Sequence, residues 1–239
     1  MIIEHKICPR CTSKNIVKNG TTASGKQKIY CLDCKAYRLL NSSRYTEEKK
    51  EQILKTYKER ASLRGLQRIY GVAPQTVINW IKKNQLEDLS ADEVLIDPLP
   101  EDILELDEMW SFVYSKVNKA WLWFAICRRT QQLVGWHLGK RDQVSANYFF
   151  VEIPSKYSIC RSRSDPWHCY ECLPQEKHRI GQKGTGETSY IEGFNNIIRQ
   201  RLGRFVRKTC SFSKKWDNHF EVIKWFIREY NLERKSAMI

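Results

Sequence analysis

Four cysteines near the N-terminus form two closely spaced pairs, and this pattern constrains the fold more than any other feature. Two residues separate Cys8 from Cys11 and Cys31 from Cys34, and nineteen residues lie between the pairs. Two such pairs supply the four thiolates of a tetrahedral Zn²⁺ site. The intervening stretch ends in the β-prone Lys28-Ile29-Tyr30, so residues 1–40 are predicted to form a zinc ribbon of two short hairpins. Buried or disulfide-bonded cysteines are the alternative.

The remaining composition indicates one sizeable core with small modules attached. The chain has 239 residues, of which 41% are hydrophobic and 12% aromatic. No apolar run approaches the length of a membrane span, and no export signal is evident, so we expect a cytoplasmic protein without a membrane partner. In that reducing compartment the other five cysteines are expected to be mostly free thiols; they are Cys127, Cys160, Cys169, Cys172 and Cys210.

Charge is distributed unevenly along the chain. Residues 1–86 carry 18 Lys/Arg against 6 Asp/Glu, residues 87–108 carry 10 acids and no Lys/Arg, and residues 109–239 carry 23 Lys/Arg against 11 acids. Two basic regions therefore flank an acidic segment. Basic regions of this size favour a polyanionic partner, with salt-dependent binding to phosphates; a merely solvated surface is the alternative.

Residues 41–86 are predicted to form an all-α helix-turn-helix domain that binds DNA. Thr46 is a candidate N-cap for a helix to about Lys58, Gly71 is placed to end the next helix, and Pro74 suits the first turn of a third. In this arrangement the side chains predicted to face the interior of the domain are those of Leu66, Tyr70, Val72, Val77 and Trp80. The arrangement leaves an outer face for base edges and phosphates, made of Gln75, Thr76, Asn79, Lys82 and Lys83. A plain helical hairpin is the alternative.

Residues 87–100 are predicted to be an acidic linker, because prolines 98 and 100 oppose regular structure. Three sequential strands then begin near Ile103, Trp121 and Leu133, which favours an antiparallel meander. A helix over 145–152 and a short, mostly polar fourth strand ending before Asp165 are expected to follow. Two helices close the chain, and the last is predicted to cover the sheet.

Three carboxylates are candidate ligands for catalytic metal ions. Asp107 interrupts an apolar strand, Asp165 follows a possible strand, and Glu192 lies on a helix whose apolar residues recur at helical spacing. Three such carboxylates can hold two Mg²⁺ ions about 3.5–4 Å apart, which activate a water or 3′-hydroxyl and stabilise the leaving oxygen of a phosphodiester. In the alternative interpretation they are a strand-end surface acid, a turn residue and a helix capping box. Glu105 or Glu108 could replace Asp107, and Glu187 could replace Glu192.

Several segments together resemble one known family, the transposases of the insertion-sequence-one family. The resemblance covers nearly the whole chain, and six signals occur in the family's order. After the cysteine ribbon these are Ser62-Leu-Arg-Gly with Gly71-Val, Asp107-Glu-Met-Trp110, Glu187-Thr with Ile191-Glu-Gly-Phe-Asn-Asn, Arg199-Gln-Arg-Leu, and Cys210-Ser-Phe-Ser-Lys-Lys215.

This resemblance implies a multidomain protein whose residues 101–239 form an α/β ribonuclease-H-like catalytic domain with a C-terminal helix. It implies an Asp-Asp-Glu triad of Asp107, Asp165 and Glu192, with the family's basic residue on Arg199. The implied reaction is Mg²⁺-dependent cleavage at the ends of an element, followed by strand transfer into target DNA. The partners are then double-stranded element ends and target, bound by a homo-oligomer assembled at the bacterial nucleoid.

Further basic residues are candidate phosphate contacts, and other functions stay open. Residues 177–215 contribute Arg201, Arg204, Arg207 and Lys208, with an exposed helix face as the alternative. A compact second zinc site at Cys160, His168, Cys169 and Cys172 is disfavoured. The rival functions are a zinc-ribbon and helix-turn-helix DNA-binding regulator, a catalytically decayed transposase copy, and a ribonuclease or Holliday-junction nuclease that cuts without joining.

Overall fold

The fold is taken from a computed structural model that describes residues 7–23, 25–39, 45–84, 91–181, 186–206 and 208–238. The chain divides into two compact units, Met1–Gln52 and Ile53–Ile239. Helix α1 (Glu47–Lys58) contributes to both units. Its predicted cap is confirmed, because the Thr46 hydroxyl accepts a hydrogen bond from the Lys49 amide at 3.2 Å.

The first unit contains a three-stranded antiparallel sheet. Its strands are β1 (Ile16–Thr21), β2 (Gln27–Cys31) and β3 (Ala36–Leu39), paired in chain order as two consecutive hairpins. Ile29 is the one buried hydrophobic residue besides two of the cysteines among the described residues of this sheet and its turns. So little apolar burial cannot offset the cost of ordering the chain, which favours stabilisation by a metal.

The second unit begins with the helix-turn-helix region. Ser62 caps α2 (Leu63–Tyr70) by accepting from the Gly65 amide at 2.9 Å, and Gly71 ends it in the left-handed conformation at φ 65°. Helix α3 (Pro74–Asn84) follows. Leu66, Val72 and Val77 are buried as predicted.

The predicted inner face of this region was wrong at two positions. Tyr70 and Trp80 are only partly buried, whereas Ile78 and Ile81 of α3 are buried. The physical reason is that α3 packs against the C-terminal helix α7 (Trp216–Met238) as well as against α2. A helix with two packed sides buries residues that an isolated helix-turn-helix would leave exposed.

The described part of the predicted linker is bound to the rest of the unit. Residues 85–90 lie outside the described part of the chain, and Ala91–Val94 form a single helical turn, α4. Buried Gln132 donates from Nε2 to the Val94 carbonyl at 3.0 Å and accepts from the Ile96 amide at 2.8 Å. Residues 95–100 have no regular secondary structure, as the prolines predict, while the bonds of Gln132 hold Val94 and Ile96 to the rest of the second unit.

A five-stranded mixed sheet follows, in the order β6-β5-β4-β7-β8. The predicted meander is confirmed by the antiparallel strands β4 (Ile103–Phe112), β5 (Lys119–Cys127) and β6 (Leu133–Gly139). The predicted fourth strand, β7 (Arg161–Ser164), pairs in parallel with β4, and β8 (His178–Ile180) pairs in parallel with β7. Strand β8, which has only three residues, was not predicted from the sequence.

Helices cover both faces of this sheet. Helix α5 (Gln143–Glu152) lies on one face, where Phe149 contacts Trp123 with ring centroids 5.9 Å apart. Helix α6 (Ser189–Arg201) lies on the other, where Phe194 packs edge-on against Phe124 at 5.2 Å and against Tyr230 of α7 at 4.9 Å. The predicted covering role of the last helix is confirmed. Within the described ranges, no helix combines the length and apolarity that a membrane crossing requires.

Candidate active site and metal centre

The four N-terminal cysteines converge on one point. Their Sγ atoms all lie within 4.8 Å of one another, with Cys8 and Cys34 at 3.8 Å and Cys11 and Cys31 at 3.6 Å. All nine cysteines of the chain are free thiols, so a disulfide does not explain the cluster. Sulfur atoms about 2.3 Å from a tetrahedral Zn²⁺ are about 3.8 Å apart. The donor set and its spacing therefore fit a zinc ion.

Backbone hydrogen bonds favour the thiolate form at Cys8 and Cys31, whereas the pKa of Cys11 and of Cys34 is raised, for Cys34 mainly by burial. Hydrogen bonds from the backbone of Arg10 and Cys11 lower the pKa of Cys8 to about 6, and the Arg10 amide lies 3.4 Å from its sulfur. Asp33 joins the two cysteine turns by accepting from the Ser13 hydroxyl and from Asn15 Nδ2 at 3.0 Å. The cysteine positions are thus held by contacts outside the sulfur cluster itself.

Asp107 lies in the middle of β4 and faces α6. Desolvation by burial, followed by the negative charge of Glu108 and then of Asp165, raises the pKa of Asp107 to about 7. Asn195 of α6 donates from Nδ2 to Asp107 Oδ2 at 2.7 Å, which opposes that rise. This carboxylate is therefore in an environment that disfavours its charge, as expected for a position built to receive a cation.

Asp165 directly follows β7 and lies beside Asp107. In the parallel ladder Ser164 pairs with Leu106, so the next residue of each strand comes to the same level of the sheet. Burial raises the pKa of Asp165, against the opposing charge of Arg141. Its Oδ1 atom is buried and has no hydrogen-bond partner among the described residues.

The two aspartates meet the chemical requirements of a divalent-cation site. A buried carboxylate oxygen without a donor is costly, and an acid whose pKa is raised by burial and by a neighbouring acid gains stability when a cation lies beside it. Carboxylate oxygens are the ligands that Mg²⁺ prefers. The residues present therefore fit a bound Mg²⁺.

Glu192 is more remote from this pair. It is exposed in the first turn of α6, where its Oε1 accepts from the Thr188 hydroxyl at 3.1 Å. It precedes Asn195 by three residues and so shares a helix face with the residue that contacts Asp107. Within the part of the chain that the structure describes, the four cysteines are the one group of three or more His, Cys, Asp or Glu residues that could hold a metal ion. The three carboxylates are thus spread more widely than a closed metal cage.

Glu105 determines where α6 begins, a role that the sequence analysis missed. This fully buried residue accepts from Arg128 Nε at 2.6 Å and from the Ile191 amide at 2.9 Å. The second bond satisfies a free N–H in the first turn of α6, next to Glu192. Glu105, which was named as a possible substitute for Asp107, is therefore a structural anchor. The signal for this role in the sequence was the alternation along β4, in which every second residue faces inwards.

A second acid of β4, Glu108, braces the segment after Asp165. Its carboxylate accepts from Arg141 Nε at 2.9 Å and from the Tyr170 hydroxyl at 3.0 Å. The Arg141 guanidinium lies 4.9 Å from the ring centre of Trp121 and 4.3 Å from that of Trp167, which stacks on Trp123 at 5.1 Å. Trp167 is two residues beyond Asp165, so this network restrains the aspartate's position.

The polar composition of β7 also has a structural explanation. The hydroxyls of Ser162 and Ser164 bond to the two ring nitrogens of buried His178 on β8, at 2.8 and 3.2 Å. A polar strand can lie in the sheet because its side chains are satisfied by its neighbour. The apolar pattern expected of an internal strand is therefore absent here without loss of the strand.

The predicted DNA-contact residues fall into separate environments. On α3, Gln75, Asn79 and Lys83 are exposed while Thr76 and Lys82 are partly buried, and Gln75 bonds to Asn79 at 2.9 Å. Lys208 is exposed, Arg199 is partly buried on α6, and Arg207 lies outside the described residues.

The guanidinium groups of Arg201 and Arg204 bond to other side chains of the protein. Arg201 pairs with Glu59 and Glu233, each at 2.9 Å. Arg204 is buried, with 7% of its surface exposed, and bonds to Ser213 at 2.8 Å and to the Tyr57 hydroxyl. In this conformation the Arg204 guanidinium is not available to a surface phosphate, because helix packing encloses it.

Comparison with known proteins identifies the family. The family model described as IS1 transposase matches residues 102–233, which include all three carboxylates. The InsB protein of insertion element iso-IS1n from Shigella dysenteriae is 34% identical over 129 residues, covering 54% of this chain and 95% of that protein. The InsB protein of insertion element IS1 4 from Escherichia coli (strain K12) is 31% identical over 124 residues, covering 52% and 72%. This chain belongs to the IS1 transposase family.

Proposed function

We propose that this protein is the transposase of an insertion sequence, which binds the element's ends and catalyses metal-dependent DNA cleavage and strand transfer. The observation that carries the proposal is the adjacency of Asp107 and Asp165 on parallel strands, with an unpartnered buried oxygen on Asp165. The order of strands and the helices on both faces support a ribonuclease-H-like domain.

The roles of the carboxylates follow from their positions. Asp107 and Asp165 would hold Mg²⁺, and Glu192 of the covering helix would complete the ligand set from the exposed side. Bound there, two Mg²⁺ ions would supply activation of a water or 3′-hydroxyl and stabilisation of the leaving oxygen of a phosphodiester. Burial raises the pKa of both aspartates, so the fold is expected to bind the cation before it can act on DNA.

DNA binding would involve the exposed face of α3 and the surface basic residues. Gln75 and Asn79 have the amide groups that read base edges, and Lys82, Lys83 and Lys208 would contact phosphates. Arg199 would contact the strand near Glu192. Transposition joins two ends to a target, so we propose a homo-oligomer assembled on DNA.

The test is an incubation of purified protein with Mg²⁺ and labelled DNA that carries the element's own ends. We expect nicking at the 3′ ends and joining of labelled ends to a plasmid. Asp107→Ala and Glu192→Ala should abolish both products and spare DNA binding. Glu152→Ala removes an exposed acid from α5, on the opposite face of the sheet, and should behave like the wild type.

Other outcomes separate the rival functions. Binding without cleavage by a protein with full zinc content would favour a DNA-binding regulator or a decayed transposase copy. Cleavage without joining would favour a nuclease. Cleavage that survives both alanine substitutions would refute the proposed ligands.

A further inference from the structure

Asn195 is a buried amide in the carboxylate site, and only one of its two polar side-chain atoms has a hydrogen-bond partner among the described residues. It is 6% exposed, and its Nδ2 atom donates to Asp107 Oδ2 at 2.7 Å. Its Oδ1 atom is also buried and has no hydrogen-bond partner among the described residues. A buried acceptor without a donor is costly, so a purely structural role for Asn195 leaves part of the residue unexplained.

The free oxygen lies close to the carboxylate that the amide holds. The oxygen and nitrogen of a side-chain amide are about 2.2 Å apart, so Asn195 Oδ1 lies at most about 4.9 Å from Asp107 Oδ2. A hydrated cation in contact with the Asp107 carboxylate is within reach of that oxygen. Asp107 is thus bonded to the amide that carries one unsatisfied acceptor, Asn195 Oδ1, and feels the charge of Asp165, whose Oδ1 atom is the other.

The choice of an amide also fits the charges around it. Asp107, Glu108 and Asp165 already place three acids at this part of β4 and β7, and only Glu108 is paired with an arginine. An amide adds an oxygen donor without adding a fourth negative charge. Its N–H group can also fix the orientation of Asp107, which another carboxylate could not do.

We infer that Asn195 is a positioning residue of the metal site, which orients Asp107 through its N–H group and contributes its carbonyl oxygen as a neutral donor. This inference rests on the proposed function, because it requires Asp107 to bind a divalent cation. It adds a residue that acts on Asp107 and on the cation rather than directly on DNA.

The adjacent residue Asn196 provides a matched control, because it lies on the same helix but is exposed. Asn195→Leu keeps the side-chain size while removing both polar groups, and Asn196→Leu makes the same change outside the site. Asn195→Ala serves as a second variant in case the leucine is poorly accommodated. Thermal melting without divalent cations checks that each variant is folded.

The first readout is Mn²⁺ binding to the protein without DNA, measured by isothermal titration calorimetry. We expect both Asn195 variants to bind Mn²⁺ at least about tenfold more weakly, since a hydrogen bond to a charged group is worth about one power of ten or more. Asn196→Leu should match the wild type. The second readout is cleavage against Mg²⁺ concentration, where the half-saturating concentration should rise while the rate at saturating Mg²⁺ largely recovers.

Three results would contradict these expectations in different ways. Wild-type affinity in a folded Asn195→Leu protein would overturn the inference alone. Cleavage reduced equally at every Mg²⁺ concentration would assign Asn195 a structural role and also overturn it. Wild-type protein that binds no Mn²⁺, or Asp107→Ala that binds it normally, would overturn the proposed metal site and the inference with it.

Discussion

His219 is expected to make the stability of the second unit depend on pH. It is fully buried on α7, where its ring nitrogens bond to Ser111 of β4 at 2.9 Å and to Ser213 at 2.8 Å. Burial, followed by the nearby charge of Arg204, lowers the pKa of His219 from the ordinary 6.5 to about 3. The folded protein therefore keeps this ring neutral at a pH where the unfolded chain protonates it.

The depressed pKa of the folded state determines the sign of the effect. The contribution of His219 to the free energy of unfolding is fully present above pH 6.5. It is lost as the pH falls from 6.5 towards 3, because only the unfolded state gains the proton in that range. Between pH 7 and pH 5 the free energy of unfolding is expected to fall by about 2 kcal/mol. This value follows from about 1.36 kcal/mol per pH unit and a histidine pKa of about 6.5 in the unfolded state.

The assay is urea unfolding followed by tryptophan fluorescence, at pH 7 and pH 5. All eight tryptophans lie in the second unit, so the signal reports its unfolding. His219→Gln should be less stable than the wild type at pH 7, and the difference should shrink by about 2 kcal/mol at pH 5. His168→Gln, at an exposed position, is the control. If the free energies of unfolding of the wild type and His219→Gln differ by the same amount at both pH values, the reasoning is refuted.

Further substitutions test the packing and the metal centre. Gly193→Ala on α6 should raise stability by up to about 1 kcal/mol in thermal melts, since its Cβ would meet nothing within 4 Å and alanine favours a helix. Gly135→Ala should instead cost about 1–3 kcal/mol in the same melts, because its Cβ would lie 2.6 Å from Ile153 Cγ1. Cys34→Ser should reduce zinc content from one ion per chain to none, measured by metal analysis. Glu105→Gln weakens the pairing with Arg128, and should lower the unfolding free energy in urea by about 1.5–3 kcal/mol and reduce cleavage.

The sequence predicted those parts of the fold that depend on local signals. The cysteine spacing, the caps at Thr46 and Gly71, and the alternating apolar residues of the meander are all encoded within a few residues of where they act. The strand before Asp165 was also predicted, even though its serines and arginines are unusual in a strand. The pairing of Ser162 and Ser164 with His178 explains that composition, and such pairing is visible only once β8 is in place.

The missed site residues all depend on contacts between distant parts of the chain. Asn195 contacts Asp107 across 88 positions, and Glu105 reaches the Ile191 amide across 86. Those bonds require both the register of β4 and the exact placement of α6 on the sheet. The sequence of α6 does not reveal whether Asn195 or Asn196 faces β4, because the angle at which the helix packs on the sheet determines which side chain does so.

The helix-turn-helix region is bonded to the helices that cover the five-stranded sheet. Lys58 of α1 pairs with Glu233 of α7 at 2.6 Å, and Arg228 of α7 donates to the Asn84 carbonyl at the end of α3 at 2.6 Å. Together with the Arg201 pairs, these bonds fix the C-terminal end of α1 and helix α3 to the helices that cover the five-stranded sheet. If α3 recognises the element's ends, the fold itself therefore fixes the distance between the recognised bases and the carboxylates. Arg201 was predicted from the sequence to be a phosphate contact, but its pairs with Glu59 and Glu233 show that its charge stabilises the arrangement that makes a fixed distance possible.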